Sequence, residues 1–193
     1  MLEIGGREVV FGGFRQFFDK AEYISFDYYP GENVDVVGDA HKLSSYFDEN
    51  EKFDLIFSTA VFEHLAMPWL VSVEISKLLK PGGYVFVETH FAFSAHERPW
   101  DFYRYSDMGL RVLFSPALGF ECIEAGLSNP IIAKHSKYSD EPLRGVIVTG
   151  LYCHSGYLGK KVRDVPDFNW ADAGLENVVE GSSYPKDKTH GKE

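Results

Sequence analysis

Short apolar runs recur along the first half of the chain, and this repetition constrains the fold more than any other feature. They cover residues 1–4, 23–26, 34–37, 53–57 and 84–88. Each run stops at glycine or at a polar residue, and several of the longer stretches between them have helical spacing. Alternation of this kind predicts βα units, in which helices connect the strands of a parallel sheet.

The stretches between these runs carry helix signals. Phe14, Phe17 and Phe18 repeat at helical spacing, and residues 41–47 and 67–79 are also predicted to be helical. The segment Lys80-Pro81-Gly82-Gly83 ends the predicted helix over residues 67–79, because proline resists helix continuation and glycine permits the turn. Ser106 is predicted to cap a further helix that reaches about residue 114.

Two later apolar runs, residues 120–124 and 146–152, follow without a convincing helix between them. They predict a closing antiparallel hairpin. We therefore expect a doubly wound α/β fold with a mostly parallel seven-stranded sheet, an antiparallel final strand and helices on both faces. Residues 1–154 are assigned to this domain and residues 155–193 to a C-terminal extension, whose end from Gly181 is expected to be flexible.

Composition and charge argue against several classes of protein. The 193 residues are 45% hydrophobic, which suits one domain with a substantial core. The chain has 29 Asp and Glu against 19 Lys and Arg, which disfavours nucleic acid or an anionic membrane as the main partner. No signal peptide or membrane-spanning run is predicted, and Cys122 and Cys153 are expected to be reduced. These features predict a cytoplasmic protein.

Residues suited to ligand binding follow the ends of the predicted strands. They are Gly5 and Gly6, Asp27, Asp39, Ser58 and Thr59, and Thr89 and His90. In an open α/β sheet, ligands bind beyond the carboxyl ends of the strands. Glycines there allow close approach to the backbone, and carboxylates can accept hydrogen bonds from ribose hydroxyls and an adenine amino group. The pattern predicts a pocket shaped for adenosine.

Five motifs follow one another in a fixed order along residues 2–83. They are LEIGG at 2–6, YISFD at 23–27, VDVVGDA at 34–40, FDLIFSTAVFEHL at 53–65 and LLKPGG at 78–83. In this order and spacing they resemble class I S-adenosylmethionine-dependent methyltransferases of the type that acts on small molecules or sugars. The resemblance covers about residues 1–125 and implies a Rossmann-like fold with S-adenosylmethionine as the cofactor.

The resemblance also implies which residues hold that cofactor. The implied set is Glu3, Gly5 and Gly6 around the methionine part, Asp27 and Tyr28 at the ribose, Asp39 and Ala40 at the adenine, and Ser58, Thr59 and His64 near the methyl group. One departure from the family pattern lies in the first loop. The usual alternating glycines would fall at 5, 7 and 9, and here Arg7 and Val9 take two of those places, with a later pair at Gly12 and Gly13.

Ionisable and aromatic side chains crowd the segments after the fourth and fifth predicted strands. An oxygen acceptor benefits from a general base, and the predicted catalytic residues are His64, His90 and His96, with Glu97 as a further candidate. The stretch PWDFYRYS at 99–106 resembles a subgroup found beside sugar-tailoring enzymes. The predicted substrate-binding residues are Trp100, Asp101, Tyr103 and Arg104. No metal is predicted, because the histidines and carboxylates lack tight ligand spacing apart from His64 and the stretch from His90 to Glu97.

Three functions remain open at this point. The leading hypothesis is methyl transfer to an oxygen or nitrogen of a small-molecule or sugar-containing substrate. A nicotinamide-dependent oxidoreductase also uses glycines and an acidic residue after the second strand, although the pattern G-x-G-x-x-G is absent. A non-catalytic binding module with the same fold is the third. Two roles are left open for Phe168, Trp170 and Leu175: they fold back over the site, or they form a homodimer contact.

Overall fold

A computed structural model describes residues 1–7 and 13–179, which form a seven-stranded sheet at the centre of the molecule. The strands are β1 Leu2–Ile4, β2 Ile24–Asp27, β3 Val36–Val37, β4 Phe53–Thr59, β5 Leu79–His90, β6 Phe120–Lys134 and β7 Ile147–Lys161. Their order across the sheet is β3-β2-β1-β4-β5-β7-β6. Strands β1 to β5 are parallel, whereas β7 runs antiparallel to both of its neighbours. The predicted Rossmann-like sheet is confirmed.

Within the described residues, helices surround this sheet. The α-helices are α1 Pro68–Leu78, α2 Asp107–Leu113 and α3 Leu175–Val178. The 3-10 helices are Phe14–Phe17, Ala40–Tyr46, Phe62–His64, Pro116–Leu118, Glu141–Leu143 and Trp170–Asp172. Across the described ranges, no helix combines the length and the apolar character needed to cross a membrane.

Local signals explain where these helices begin and end. Ser106 Oγ accepts a hydrogen bond from Gly109 N at 3.0 Å and caps α2 as predicted. Pro68 opens α1, where its fixed φ suits the first turn. The predicted helix over residues 41–47 is instead a 3-10 helix with a kink at Lys42. Short helices of this kind depend on their caps and their packing more than on propensity.

The core lies on both faces of the central strands. Leu2 and Ile4 are almost completely buried, because β1 is hydrogen-bonded between β2 and β4. Phe114 and Tyr157 stack with ring centroids 5.4 Å apart, and the Tyr157 hydroxyl donates to Phe114 O at 2.8 Å. Each such buried side chain contributes roughly 1.5–3 kcal/mol to stability. This packing supports the edge of the sheet that carries the candidate site.

The predicted domain boundary between residues 154 and 155 falls inside β7. Residues 154–160 of this strand pair with β5 and therefore belong to the sheet. Beyond it, Trp170 Nε1 donates to Trp69 O at 2.8 Å and ties the following segment to α1. Residues 155–179 are thus part of the same folded unit. Residues 180–193, where a flexible end was expected from Gly181, lie outside the described residues.

Strands β6 and β7 are longer than their sequence patterns predicted. Each has 15 residues, whereas the predicted runs covered only residues 120–124 and 146–152. Their distal halves pair only with each other and form a two-stranded ribbon beyond the end of β5. Ile132 in this ribbon is 77% exposed. Because the two strands satisfy each other's backbone groups, the ribbon does not need the alternating apolar pattern by which sequence analysis recognises a strand.

Candidate active site

The carboxyl ends of β1 to β5 meet at one edge of the sheet, because these strands are parallel. This edge carries the residues that the sequence analysis selected. They are Gly5 and Gly6 after β1, Asp27 in β2, Asp39 after β3, Ser58 and Thr59 in β4, and Thr89 and His90 in β5. The fold therefore brings the predicted adenosine-binding residues to a common edge.

The glycine turn after β1 is required by the packing around it. Gly5 has a φ of +90°, and a Cβ at this position would lie 2.1 Å from Val61 Cγ2. A Cβ on Gly6 would lie 1.7 Å from Ser25 Oγ. The N–H groups of both glycines donate to Phe26 O, at 2.8 and 3.2 Å. The turn is thereby bound to β2, whereas Val9 and Gly12 of the same loop lie outside the described residues.

Asp27, at the end of β2, connects two loops of the edge. One carboxylate oxygen accepts from Arg7 N at 3.2 Å, and the other accepts from Tyr29 N at 3.0 Å. The Arg7 side chain lies nearby, with its Nε 3.7 Å from Asp27 Oδ1. This carboxylate therefore faces the loop after β1, which is where the resemblance places the ribose.

Asp39 caps the 3-10 helix that follows β3. Its Oδ1 accepts from His41 N at 2.9 Å and contacts His41 Nδ1 at 2.6 Å. Met67 N donates to His41 Nε2 at 3.1 Å, so Nδ1 carries the proton and donates to Asp39. Burial alone would raise the pKa of Asp39, but the hydrogen bonds from His41 outweigh it and hold the pKa below its ordinary value. His41 thus positions Asp39, beside the buried Ala40, against the start of α1.

Glu3 and Ser58 lie deeper in the sheet. Glu3 is buried and accepts a hydrogen bond from the Tyr23 hydroxyl. Burial raises the pKa of Tyr23 most, and this hydrogen bond is the next largest cause. The predicted contact of Glu3 with the methionine part of the cofactor stays a prediction. Ser58 is also buried, and its hydroxyl has no hydrogen-bond partner among the described residues. Ala60, which follows β4, has a φ of +53°, unusual for a residue other than glycine.

Glu63, which is not among the residues predicted from the sequence, lies at the centre of a polar cluster. It lies in the 3-10 helix just after β4, and its side chain is completely buried. Thr89 Oγ1 donates to Glu63 Oε2 at 2.6 Å, while His90 Nε2 lies 3.1 Å from Oε1. His64 Nε2 and His96 Nε2 lie 3.8 and 4.0 Å from the same Oε1. We refer to Glu63, His64, His90 and His96 as the Glu63 cluster.

The three predicted catalytic histidines therefore meet in one place, but with different surroundings. The ring of His90 stacks on Phe93 with centroids 4.2 Å apart. Burial lowers the pKa of His90 and outweighs the opposite effect of Glu63. His64 and His96 are partly exposed, with side-chain exposures of 20% and 25%. Their rings are 4.9 Å apart.

Residues 91–105, the aromatic loop, form one wall of the cluster. Glu63 O accepts from Phe102 N at 2.9 Å and from Tyr103 N at 3.2 Å, which attaches this loop to the end of β4. The Tyr103 hydroxyl donates to Ala66 O at 3.0 Å. Trp100 is 54% exposed, and its ring lies 6.4 Å from the exposed ring of Tyr28. Exposed aromatic faces from two loops therefore border the site.

Arg104 makes several hydrogen bonds within the aromatic loop. Its guanidinium donates to both oxygens of Asp101, at 2.6 and 3.0 Å. It also donates to three backbone carbonyls, those of Phe93, Ser94 and Tyr103. These bonds use all five of its N–H donors. These bonds hold the aromatic loop together, and substrate binding by Arg104 stays a prediction. Pairing with Arg104 is the main reason that the pKa of Asp101 is lowered well below its usual range.

Comparisons with known proteins agree with this architecture. Residues 18–87 match the family described as a methyltransferase domain. The comparison with curated proteins found no significant match. Among solved structures, similar chains include a SAM-dependent methyltransferase from Archaeoglobus fulgidus, with 17% identity, a TM-score of 0.60, and 83% of this chain and 85% of that chain covered.

Two further structures share the fold. The YcgJ protein from Bacillus subtilis has 16% identity and a TM-score of 0.55, with 84% of this chain and 91% of that chain covered. An S-adenosylmethionine-dependent methyltransferase from Clostridium acetobutylicum has 12% identity and a TM-score of 0.52, with 82% of each chain covered. At these identities the structures establish the fold, while the family match covers β2 to β4 with the residues at their carboxyl ends, and β5 as far as Val87. Over residues 18–87 and in its fold, this chain is therefore similar to methyltransferases, and the proteins from Archaeoglobus fulgidus and Clostridium acetobutylicum depend on S-adenosylmethionine.

Proposed function

We propose that this chain transfers a methyl group from S-adenosylmethionine to an oxygen or nitrogen atom of a small or sugar-containing acceptor. The observation that carries the proposal is the position of the Glu63 cluster. It lies just beyond β4 and at the end of β5, beside the strand ends that carry Ser58 and Thr59. A cluster of proton acceptors next to the expected cofactor site suits the activation of an O–H or N–H group.

The residues at the sheet edge fit the cofactor. Each Asp27 oxygen accepts one backbone N–H, and a carboxylate offers about four acceptor sites. Capacity therefore remains for the two ribose hydroxyls. Ser58 Oγ is buried without a hydrogen-bond partner among the described residues and can take part at the floor of the site. The proposed cofactor-binding residues are Glu3, Gly5, Gly6, Asp27, Tyr28, Asp39, Ala40, Ser58 and Thr59.

The protein's main task is alignment. When bound, the cofactor supplies an electrophilic methyl group for an in-line displacement, so the acceptor atom must be held on the line of the breaking bond. The aromatic loop and the Glu63 cluster lie on the open side of the strand ends and can position the acceptor there. His64 and His96, with their partly exposed rings, are the members of the cluster that an acceptor can reach.

The aromatic border supports the acceptor class. Trp100, Phe102 and Tyr28 are 54%, 42% and 57% exposed and lie next to one another. Aromatic faces commonly line small-molecule sites, where a few polar groups then fix the orientation of the ligand. A sugar ring has both kinds of surface. The border therefore favours a small cyclic or sugar-containing acceptor over a macromolecular one.

Titration calorimetry with S-adenosylhomocysteine tests the proposal, with Asp27→Asn as the diagnostic variant. Asp48→Asn is the matched control, because it makes the same change at an exposed carboxylate away from the sheet edge. We expect binding by the unsubstituted chain and by the control, and at least about tenfold weaker binding by Asp27→Asn, roughly 1.4 kcal/mol or more. Nucleotide sugars would be the first acceptors assayed for methyl transfer.

The other outcomes separate the remaining hypotheses. Binding of NADH in place of S-adenosylhomocysteine would contradict the proposal in favour of an oxidoreductase. Binding of S-adenosylhomocysteine without transfer to any acceptor in the screen would favour a non-catalytic binding module. Equal binding by Asp27→Asn and the control would show that the edge of β2 does not hold the cofactor.

A further inference from the structure

We propose that Glu63, His64 and His96 bind a divalent transition-metal cation, and that this cation selects acceptors that present a hydroxyl group. The inference rests on the proposed function for its second half, because the cation would lie where the acceptor enters. Its first half concerns the three side chains alone. It also revises the sequence analysis, which predicted no metal.

The three side chains converge on one point. One ligand atom from each of Glu63, His64 and His96 lies within 4.8 Å of the other two. Glu63 Oε1 is 3.8 Å from His64 Nε2 and 4.0 Å from His96 Nε2. With bonds of about 2.0–2.2 Å, the ligand atoms of a tetrahedral metal lie roughly 3.4 Å apart. The two separations from Glu63 would then shorten by roughly half an ångström, and the separation between the two histidine nitrogens by up to about 1.4 Å. Rotation of the two partly exposed imidazole rings can supply that movement.

Both histidines have the proton on the nitrogen that faces away from this point. His64 Nδ1 lies 2.6 Å from Trp100 O, and His96 Nδ1 lies 3.1 Å from Ser94 O. A backbone carbonyl can only accept, so each Nδ1 donates, and the Nε2 lone pair of each ring is then the one available to bind a metal beside Glu63. Histidines that bind metals commonly make this second hydrogen bond, which orients the ring and sets its tautomer.

Glu63 supplies an independent observation. Its side chain is completely buried, and Oε1 has no hydrogen-bond partner among the described residues. His90 Nε2 is close to Oε1, at 3.1 Å, but without the geometry of a hydrogen bond. A buried carboxylate oxygen without a partner is costly, and a bound cation would satisfy it. Thr89 meanwhile holds the other oxygen at 2.6 Å and so aims Oε1 into the cluster.

The surrounding charges fit a cation with open coordination positions. Glu97 Oε2 lies 3.8 Å from His64 Nε2 on the exposed side and can serve as a further ligand. Asp101 Oδ2 lies 3.9 Å from His96 Nδ1, but this carboxylate is already paired with Arg104. Because Arg104 donates its N–H groups within the aromatic loop, they are not available to pair with Glu63. Two histidines and one carboxylate leave positions that a ligand from solution can occupy.

This arrangement favours an oxygen acceptor. A divalent cation lowers the pKa of a hydroxyl group that it contacts, so the proton can leave to solvent near neutral pH. The acceptor oxygen then forms its bond to the methyl carbon while the sulfur–carbon bond breaks. The products are a methyl ether, S-adenosylhomocysteine and the released proton. Acceptors with adjacent hydroxyls, such as sugars, can fill two positions on the cation.

Metal titration tests the site without any activity measurement. The full chain, with affinity tag removed, is stripped with a chelator and titrated by calorimetry with Zn²⁺ and Mn²⁺, and by visible absorption with Co²⁺. We expect one equivalent to bind. His96→Asn and Glu63→Gln should weaken binding by at least about 100-fold, because each removes one of three protein ligands. His135→Asn, in the distal ribbon, is the matched control and should bind as the unsubstituted chain does.

Several outcomes would overturn the inference. They are no binding of any of the three cations, binding that His96→Asn leaves unchanged, or binding that His135→Asn weakens equally. His96 is partly exposed, so its variant keeps the test valid if Glu63→Gln fails to fold, as circular dichroism would show. S-adenosylhomocysteine binding is measured in parallel: if it persists without metal binding, this inference fails while the proposed function stands.

Discussion

Replacing Lys161 by methionine should destabilise the fold strongly. Its ammonium group is buried and donates to Ser76 O at 2.5 Å and to Leu79 O at 2.8 Å, at the end of α1. Charge-assisted hydrogen bonds contribute about 1.5–3 kcal/mol each, and removing the donor leaves two buried carbonyls without that partner. Relief of the buried charge offsets part of this loss. Asp164 adds little, because its side chain is 66% exposed.

We therefore expect the free energy of unfolding to fall by about 3 kcal/mol, a large share of the 5–15 kcal/mol typical of a domain. Urea unfolding followed by circular dichroism measures the change as a lower midpoint at unchanged slope. The melting temperature should fall by roughly 6–12 °C.

Lys160→Met is the matched control for this prediction. Lys160 is the next residue of β7, but it is half-buried, with its ammonium 5.9 Å from the ring of Tyr84. The same substitution there should cost less than about 1 kcal/mol. Equal midpoints for the two variants would refute the reasoning. Such a result would also contradict the conclusion that the end of β7 anchors α1 and belongs to the domain.

Three further predictions follow from the same structure. Gly6→Ala would place a Cβ 1.7 Å from Ser25 Oγ. The variant should therefore lose about 1–3 kcal/mol of stability and bind S-adenosylhomocysteine more weakly in calorimetry. An unchanged melting temperature would contradict this prediction. Arg104→Lys should speed hydrogen exchange in the aromatic loop without any ligand, whereas a role in substrate binding alone would leave that exchange unchanged. Burial raises the pKa of Glu74, but hydrogen bonds from Lys77 and Ser44 outweigh it and lower the pKa below 4.5. The carboxylate therefore stabilises the fold above that pH and loses this effect as the pH falls further, so Glu74→Gln should flatten the acid side of the stability profile in urea titrations.

The order of the parallel strands was predictable because its signals are local. Each apolar run is short, ends at a glycine or a polar residue, and is followed by turn or capping residues. Ser106 shows how far such signals reach, since its cap depends only on Gly109 three residues later. The extent of β7 was not predictable in this way. Its last residues are strand because β5 lies beside them, which the local pattern does not record.

The roles of individual site residues divide along the same line. The positions of Asp27 and Asp39 were predictable, because strand ends bring them to one edge of the sheet whatever their side chains contact. Substrate binding by Arg104 is predicted because its planar guanidinium can pair with an anion, and this stays a prediction. The hydrogen bonds of Arg104 to Asp101 and to nearby carbonyls were not predictable. The sequence alone does not reveal which hydrogen-bond acceptors surround the Arg104 guanidinium, because they depend on the path of the loop.

Local sequence signals are enough to predict the parallel α/β architecture and the edge at which the candidate residues lie, because hydrophobic periodicity, turn residues and caps act over a few positions. The proximity of Glu63, His64 and His96, in contrast, is set by tertiary packing. The first two follow β4, and the third lies in the loop after β5, so their meeting depends on the pairing of those strands and the path of the aromatic loop. Burial of Glu63 then makes an unremarkable acidic residue the centre of the site, and burial is a property of the assembled fold.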